Sequence, residues 1–416
     1  MRLAIVNDHF AKVTIVFDLS QIKICSRLAS IQFYLINLLA AVYRKSWGRQ
    51  KENQNLIHMK KKFFFQTSVI VLFVSLLSVP DNSSFAQTAI PDSTKKSFRL
   101  FEDENLIEIS LAFDLSTYFR TKPKDNYLNA NITFHLSKTD SITRDIKLKT
   151  RGIFRNRYCM FAPIELNFNK VDFGYSDLNK ISKLKLVPQC SSGKDKEDYV
   201  LREFLAYKLF NVLTDTSFRV RLLTVKYFDS QKKRKPVIQY GFFIEPVEML
   251  TARTNTIRIK SKMLNQKSIV PKIMDRIALF NFMIGNYDWS VPGQHNIQVI
   301  KSLVIDPNGL GIGVPHDFDW SGLVNPTYAI PTEEVGTDNV RERLFLGVCR
   351  SKEVFQSELS IFLEKQAEFY KVINEFPYVS QKVKKDIISY LDGFFNQLAG
   401  KRDRILYDLM STCKKI

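Results

Sequence analysis

Residues 285–322 read GNYDWSVPGQHNIQVIKSLVIDPNGLGIGVPHDFDWSG. Two short apolar runs in this stretch, Asn296–Lys301 and Gly311–Val314, are typical of β-strands. Between them, Asp306-Pro-Asn-Gly309 is a strong turn signal. The sequence therefore predicts a β-hairpin whose two outer ends lie side by side at one rim.

Polar residues gather at that rim. Asn296 opens the first strand, Asp317 and Asp319 follow the second, and Asp288 precedes the hairpin. Taken singly, each is also an ordinary turn or surface residue. Brought together they repel one another unless a cation lies among them, and such oxygen ligands suit magnesium, manganese or calcium. As an ordered set they predict phosphoryl transfer from a nucleotide, in which one carboxylate orients the attacking hydroxyl.

The segment before these residues predicts a helix. Apolar side chains recur at intervals of three and four from Ile273 to Ile284, which is typical of a buried amphipathic helix. Gly285 should end this helix, because glycine favours the left-handed conformation of a C-terminal cap. The loop that carries Asp288 then begins directly after the helix.

The same residues resemble a known family. The motifs that carry the resemblance are Asn286-Tyr-Asp288, His295-Asn296, Val314-Pro-His-Asp317-Phe-Asp319, Arg151-Gly152 with the aromatic and basic run after it, Leu201–Tyr207 and Tyr240–Glu245. Between about Leu106 and Asn325, the chain resembles the spore coat protein H (CotH) kinase-like family and, more distantly, the HipA-type kinases. The resemblance implies an atypical kinase fold that binds ATP with magnesium or manganese and modifies serine or threonine hydroxyls of a protein or peptide.

The resemblance also implies roles for the clustered residues. Asp288 would be the catalytic aspartate, and Asn296 would be a metal ligand. Asp317 would play the metal-binding part of the aspartate in the kinase DFG motif, with Asp319 as a second ligand or a support.

Further residues are candidates for nucleotide binding. Arg151 opens a basic run that suits phosphate oxygens, although a solvated basic turn has the same composition. The lysine that contacts phosphate is either Lys183 or Lys185. Glu203 would pair with that lysine or be a surface charge of its helix, and Glu245 lies where the chain would cross between two lobes.

The overall pattern predicts an α+β chain with a two-lobed, protein-kinase-like fold. Alternating segments predict a β-rich first lobe over residues 106–245. Residues 246–416 form the predicted α-rich second lobe, which carries the metal cluster and ends in a helical stretch. A polar linker is predicted over residues 87–105.

The N-terminal part has the pattern of an export signal. Residues 59–86 combine three lysines, an apolar segment and a small-residue cleavage site. Residues 1–58 are then interpreted as an extension from an upstream start. The mature protein would be periplasmic or extracellular, with no stable membrane span. Only an uncleaved signal in a chain that starts at Met1 would anchor it to a membrane.

The net charge and the cysteine content limit the classes of partner and the cross-links that we expect. The formal net charge of +19 favours acidic partners such as nucleotides, acidic peptides or anionic membrane. Nucleic acid is not an expected partner, because no basic recognition helix or nucleic-acid motif is present. Cys159, Cys190, Cys349 and Cys413 allow two disulfides with three connectivities, or buried free thiols. For a single bridge, Cys159 with Cys190 is the predicted pair.

Two other function classes stay open. The chain could be a catalytically silent binding or structural protein of the cell envelope that keeps the kinase-like fold, since ATP is scarce outside the cytoplasm. It could also be a metal-dependent hydrolase that uses the same acids with an activated water. The presence of all three acids and Asn296 favours the kinase over the silent protein.

Overall fold

A barrel of β-strands dominates the N-terminal half of the part of the chain that this computed structural model describes. The structure describes residues 97–191, 193–302, 309–400 and 402–415. These residues all belong to one compact unit. The predicted upstream extension and export signal, most of the predicted linker and most of the predicted 306–309 turn lie outside the described residues.

Within the described ranges, seven strands close the barrel in the order β1-β2-β3-β4-β5-β7-β6. Neighbouring strands are antiparallel except β1 and β6, which pair in parallel and close the ring. The strands are β1 (Ile107–Phe113), β2 (Leu128–His135), β3 (Ser141–Thr150), β4 (Ile164–Asn167), β5 (Lys183–Pro188), β6 (Val220–Asp229) and β7 (Val237–Ile244).

Alternate residues of these strands fill the barrel. On β5, Leu184 and Leu186 point inward with Phe243 of β7, whereas Val187 faces outward and packs against helices. This alternation follows from the two-residue period of a strand. Phe98, Leu100 and Phe101 also pack against the barrel core, so the predicted linker is wrong for residues 98–101, which bury apolar rings and belong to the folded unit.

Helices cover one outer face of the barrel and build the rest of the described chain. They are α1 (Leu115–Thr121), α2 (Phe154–Tyr158), α3 (Lys194–Leu213), α4 (Val247–Thr254), α5 (Pro271–Ile284), α6 (Lys352–Glu364), α7 (Gln366–Glu375), α8 (Gln381–Gly400) and α9 (Arg402–Thr412). Short 3₁₀ turns occupy Leu178–Lys180, Gln266–Ser268, Pro292–Gln294 and Glu333–Val335.

The α3 helix links the barrel to the C-terminal helices. Phe204 and Tyr207 on α3 contact Phe242 on the outer face of β7, with ring centroids 5.9 and 5.6 Å apart. Phe204 also stacks on Phe376 after α7, at 5.6 Å. One apolar core therefore runs from the outside of the barrel into the helices. The α+β content is confirmed, but the described residues do not separate into two units as the two-lobed prediction would suggest.

The predicted hairpin is confirmed. Strands β9 (Ile297–Lys301) and β10 (Ile312–Pro315) pair antiparallel, and β8 (Ile257–Ile259) extends this small sheet beside β9. The α5 helix packs on β10, and Ile277 of α5 lies in the same core as Ile297 and Val314. The hairpin therefore has a rigid helical support directly before the loop that carries Asp288.

Two disulfides are present among the described residues. Cys159–Cys190 links the end of α2 to the segment after β5, which confirms the predicted pair. Cys349–Cys413 joins the segment before α6 to the end of α9. The first bridge ties α2 to the strand that carries Lys183 and Lys185. Among the described residues, no helix combines the length and the apolar character that a membrane crossing needs.

Gly285 ends α5 as predicted, with φ of +66°. A Cβ atom there would collide with the Tyr390 hydroxyl and lie 3.3 Å from the Gly322 backbone nitrogen. We expect Gly285→Ala to lower the free energy of unfolding by about 3 kcal/mol, because left-handed strain and overpacking add. Urea denaturation measures the loss.

Gly336 provides the matched control for this substitution. It also has a positive φ, +74°, but a Cβ atom there would meet nothing within 4 Å. Gly336→Ala should therefore cost only the left-handed strain, about 1 kcal/mol. Equal losses in the two variants would contradict a steric role for Tyr390.

Candidate functional site

Three carboxylates meet where α3 faces the loop after β10. One oxygen each from Glu203, Asp317 and Asp319 lies within 4.8 Å of the others. We call these three residues the acid cluster. Glu203 and Tyr207 are one helical turn apart on α3 and so share one face. The Tyr207 hydroxyl accepts a hydrogen bond of 2.8 Å from the Asp317 backbone N–H, which fixes the loop against the helix.

A buried arginine enters the acid cluster from α2. Arg155 donates to Glu203 Oε2 at 2.9 Å, and the same nitrogen lies 3.8 Å from Asp319 Oδ2. It also donates to the carbonyl of Pro188 at the end of β5, at 3.3 Å. On the other side, the Tyr328 hydroxyl donates to Asp319 Oδ2 at 3.0 Å. Arg155 therefore balances only part of the negative charge.

Burial and mutual repulsion set the protonation of these acids. Burial raises the pKa of Glu203 to about 7, although Arg155 opposes the shift. Burial also raises the pKa of Asp319 well above its usual value. Burial acts in the same direction on Asp317, but nearby cations, Arg151 foremost, outweigh it and hold its pKa below the usual range. Asp317 is thus the carboxylate of the cluster that stays ionised most readily.

Cationic side chains line the barrel side of the cluster. Lys185 lies on the outer face of β5, and burial lowers its pKa to about 8, with the Arg151 charge adding to the shift and Asp317 opposing it. Burial lowers the pKa of His316 to about 3, so this ring is neutral. Neither Lys185 nor Arg151 forms an ion pair within 4.0 Å among the described residues. The structure therefore presents two uncommitted cations beside Asp317.

Asp288 is held by the two residues that open the hairpin. The Asn296 side-chain amide donates to Asp288 Oδ2 at 3.0 Å and to the Asp288 carbonyl at 2.7 Å. His295 Nε2 lies 2.7 Å from Asp288 Oδ1. This hydrogen bond raises the pKa of His295. Both oxygens of Asp288 are thereby oriented by neighbouring side chains.

Backbone bonds join the Asp288 loop to the Asp317 loop. The Asn296 carbonyl accepts from the His316 N–H at 2.9 Å, and the Gly285 carbonyl accepts from the Gly322 N–H at 3.0 Å. Asn296 and Asp317 both have left-handed backbones, with φ of +52° and +64°. Strained backbones of this kind concentrate at functional sites, where the surrounding contacts enforce them. The predicted common rim of Asp288, Asn296 and Asp317 is therefore present.

Other predicted nucleotide-binding residues have different surroundings. Lys183 is exposed and lies 3.5 Å from Glu165. Glu245 is buried, and both of its oxygens bind Arg253, at 2.8 and 3.0 Å. Glu203 pairs with Arg155, and among the described residues it has no lysine within 4.0 Å. Lys183 and Glu245 are therefore paired away from the cluster, Glu203 pairs within it with Arg155, and Lys185 is the lysine beside the cluster.

The donor set fits a divalent cation. Glu203 is 1% exposed, and its Oε1 has no hydrogen-bond partner among the described residues. The Asp317 carboxylate likewise has no hydrogen bond or ion pair there. A buried, unsatisfied oxygen of Glu203 beside the half-buried carboxylate of Asp317 offers the oxygen ligands that magnesium and manganese prefer. Glu203 therefore joins the predicted Asp317 and Asp319 in the candidate set, and Asn296 stays a predicted ligand.

Comparisons with known proteins add one structural likeness. No protein-family model matches the chain, and no curated protein matches it. The chain is similar to the crystal structure of a Helicobacter pylori proinflammatory kinase, CtkA, at 12% sequence identity and a TM-score of 0.34. The match covers 59% of this chain and 94% of that chain. The resemblance to the CotH family therefore stays a prediction.

Proposed function

We propose that this protein is an exported, atypical kinase with a two-lobed, CotH-like fold, in which the barrel part and the helical part would form the two lobes. It transfers the terminal phosphoryl group of ATP to a serine or threonine hydroxyl of a protein or peptide. The observation that carries the proposal is the convergence on one rim of an ionised, uncommitted Asp317, the uncommitted cations Lys185 and Arg151, and an oriented Asp288. Phosphoryl transfer needs these groups, because its catalysis rests on positioning and charge stabilisation.

The basic side of the rim is suited to hold the nucleotide phosphates. Lys185 and Arg151 have no competing ion pair among the described residues, so their charges are available to phosphate oxygens. Asp317, Asp319 and Glu203 would hold magnesium or manganese, which neutralises phosphate charge when bound. Asn296 Oδ1 is a further candidate ligand, because the side-chain nitrogen donates to Asp288 and leaves the oxygen as the acceptor atom.

Asp288 is suited to the acceptor side. Asn296 and His295 fix its two oxygens, so the carboxylate can accept a hydrogen bond from an incoming hydroxyl in one defined direction. In the transfer, the acceptor oxygen forms a bond to the terminal phosphorus, and the bond from that phosphorus to the bridging oxygen of ADP breaks. The hydroxyl proton passes to Asp288.

Export is part of the proposal. Two disulfides join described segments that are 31 and 64 residues apart in sequence. Disulfides persist in oxidising compartments and are rare in the cytosol. Together with the signal-like pattern of residues 59–86, they support a periplasmic or extracellular location.

The proposal is tested by phosphate transfer with labelled ATP. The mature protein is incubated with magnesium or manganese and a serine-rich acceptor protein, and label on protein is measured after chelation of the metal. We expect metal-dependent labelling of the acceptor or of the protein itself. Absence of nucleotide binding in a calorimetric titration with metal present would overturn the kinase and favour a silent binding protein. Release of free phosphate without any transfer would favour the hydrolase.

The charge of Lys185 predicts a pH dependence for nucleotide binding. Its pKa is lowered to about 8, and phosphate binding requires the protonated form. Above about pH 7, where Glu203 has lost its proton, the affinity for ATP with magnesium should therefore follow the charge of Lys185. Above about pH 8 the affinity should fall by up to about tenfold per pH unit. This is the steepest slope expected when binding takes up one proton. Calorimetry across this range measures the effect.

Substitutions at β5 separate this effect from general alkaline effects. Lys185→Arg keeps its charge at every pH used, so it should lack the fall in affinity above about pH 8. Lys183→Arg should retain the wild-type profile, because Lys183 lies at the exposed end of the strand. A wild-type profile identical to that of Lys185→Arg would remove Lys185 from the phosphate site.

A further inference from the structure

An exposed aromatic surface borders the acid cluster. Phe154 and Tyr158 lie one turn apart on α2, stacked with ring centroids 5.4 Å apart and an interplanar angle of 16°. Trp320 and Tyr328 come from the loop after Asp319. Phe154 lies 5.0 Å from Trp320, and Tyr158 lies 5.3 Å from Tyr328. We call these four residues the aromatic platform.

The α2 side of the platform is open to solvent, whereas Tyr328 is buried beneath it. Tyr158 is 55% exposed and Phe154 is 39% exposed, although both rings have aromatic neighbours that could have buried them. Their surroundings add further exposed apolar side chains, namely Ile153, Met160 and Ile330. Contiguous exposed apolar surface next to a polar cleft is typical of an interaction site.

The platform is built rigidly onto the acid cluster. Tyr328 donates its hydroxyl proton to Asp319, and Arg155 on the platform helix binds Glu203. The Cys159–Cys190 disulfide follows Tyr158 directly and fixes the end of α2. Trp320 also directly follows Asp319 in sequence, so a ligand bound to the platform would lie beside the candidate metal ligands. Preorganised aromatic anchors of this kind dominate the affinity of many interfaces.

The exposed side of the platform carries arginine, whereas the acid cluster lies on its buried side. Residues 151–163 and 320–332, which build it, contain three arginines and no acidic residue. Arg155 is buried against Glu203, but Arg157 is exposed and has no ion pair within 4.0 Å among the described residues. Arg151 is similarly uncommitted. An acidic ligand group could pair with Arg157 or Arg151, since neither has an ion pair within 4.0 Å among the described residues.

We infer that the platform is a docking site for the acceptor protein, and that it selects a segment in which an aromatic side chain lies beside an acidic residue. The aromatic side chain packs on Phe154 and Tyr158, and the acid pairs with Arg157. This inference rests on the proposed function in one respect only, the identity of the ligand as acceptor. It names the class of acceptor, a segment with an aromatic residue beside an acidic one, for a site that is otherwise proposed only from its phosphate chemistry.

Peptide binding without nucleotide or metal tests the inference independently of transfer. The probes are fluorescein-labelled peptides with one serine that carry Phe and Asp, Ala and Asp, or Phe and Lys near it, and anisotropy is measured in EDTA. We expect the Phe–Asp peptide to bind about tenfold more tightly than the other two. Phe154→Ala and Tyr158→Ala should each weaken it about tenfold, the loss typical of an anchor residue.

Charge and exposure controls complete the experiment. Arg157→Glu should reverse the preference toward the Phe–Lys peptide, whereas Arg404→Glu on α9 should not. Tyr407→Ala removes another exposed ring, 71% exposed on α9, and should leave binding unchanged. Thermal unfolding confirms that each variant is folded.

The outcomes separate this inference from the proposed function. The expected peptide pattern without any phosphate transfer would retain the docking site and reject the kinase. Equal binding of all three peptides, or platform variants with unchanged peptide affinity, would overturn the docking site. Loss of ATP binding in Phe154→Ala with peptide binding unchanged would also overturn it and assign the platform to the purine ring.

Discussion

Asp288→Asn should reduce phosphate transfer about a thousandfold while leaving the affinity for ATP with magnesium unchanged. The asparagine keeps the shape of the side chain and can still accept from Asn296, but it cannot take the hydroxyl proton. General base catalysis contributes about 10²- to 10⁴-fold, so its loss should appear almost entirely in kcat. Transfer of labelled phosphate and calorimetric titration with ATP measure the two quantities on one preparation.

Asp317→Asn should behave differently, because this residue belongs to the acid cluster. It removes the carboxylate that stays ionised most readily, so metal-dependent nucleotide binding should weaken together with transfer. Asp338→Asn changes an exposed acid outside the acid cluster and should alter neither quantity. If Asp288→Asn also abolished nucleotide binding, the separation of acceptor and phosphate sides proposed for the rim would be wrong.

The parts of the site predicted correctly from sequence are those fixed by local signals. The hairpin follows from apolar runs around a turn, and Gly285 from the glycine requirement of a left-handed cap. Once the hairpin forms, Asn296 and Asp317 must lie at the same rim, and the His316 to Asn296 bond is the direct result. The local sequence pattern is therefore enough to predict that these residues lie close together.

The remaining parts depend on contacts between distant segments. The barrel closes through the parallel pairing of β1 with β6, whose paired residues are more than 100 positions apart, and no local pattern specifies that contact. The partner of Glu203 was missed for the same reason, since Arg155 lies 48 residues away. In the sequence, Arg155 is one member of the basic run that begins at Arg151. Only its burial in the folded chain distinguishes it from the exposed Arg157.

Lys183 and Lys185 illustrate a limit of strand patterns. Both point to the outer face of β5, because they are two residues apart. The strand pattern therefore does not distinguish Lys183 from Lys185. Their environments differ because Lys183 lies at the open end beside Glu165, whereas Lys185 lies opposite Ile244 of β7 and near Asp317. Only the tertiary position along the strand decides which lysine lies beside Asp317, at the proposed phosphate site.

Arg155→Met should produce the largest loss of stability. It removes the cation that Glu203 binds at 2.9 Å and leaves buried carboxylates facing one another. Removal of one partner from a buried ion pair costs about 3–5 kcal/mol, because the remaining charge is uncompensated. We expect a loss of this size in the free energy of unfolding, measured by urea denaturation in EDTA.

A double variant and added metal identify the origin of that loss. Arg155→Met combined with Glu203→Gln removes both partners, so it should recover most of the lost stability, since neutralising a buried pair together is far less costly than breaking it. Manganese should also stabilise Arg155→Met, because a divalent cation can replace the missing charge among the acids. It should have little effect on the double variant, which has one ligand fewer. If the two variants were equally unstable and manganese changed neither, loss of side-chain packing by Arg155 would explain the result, and the acid cluster would not bind metal.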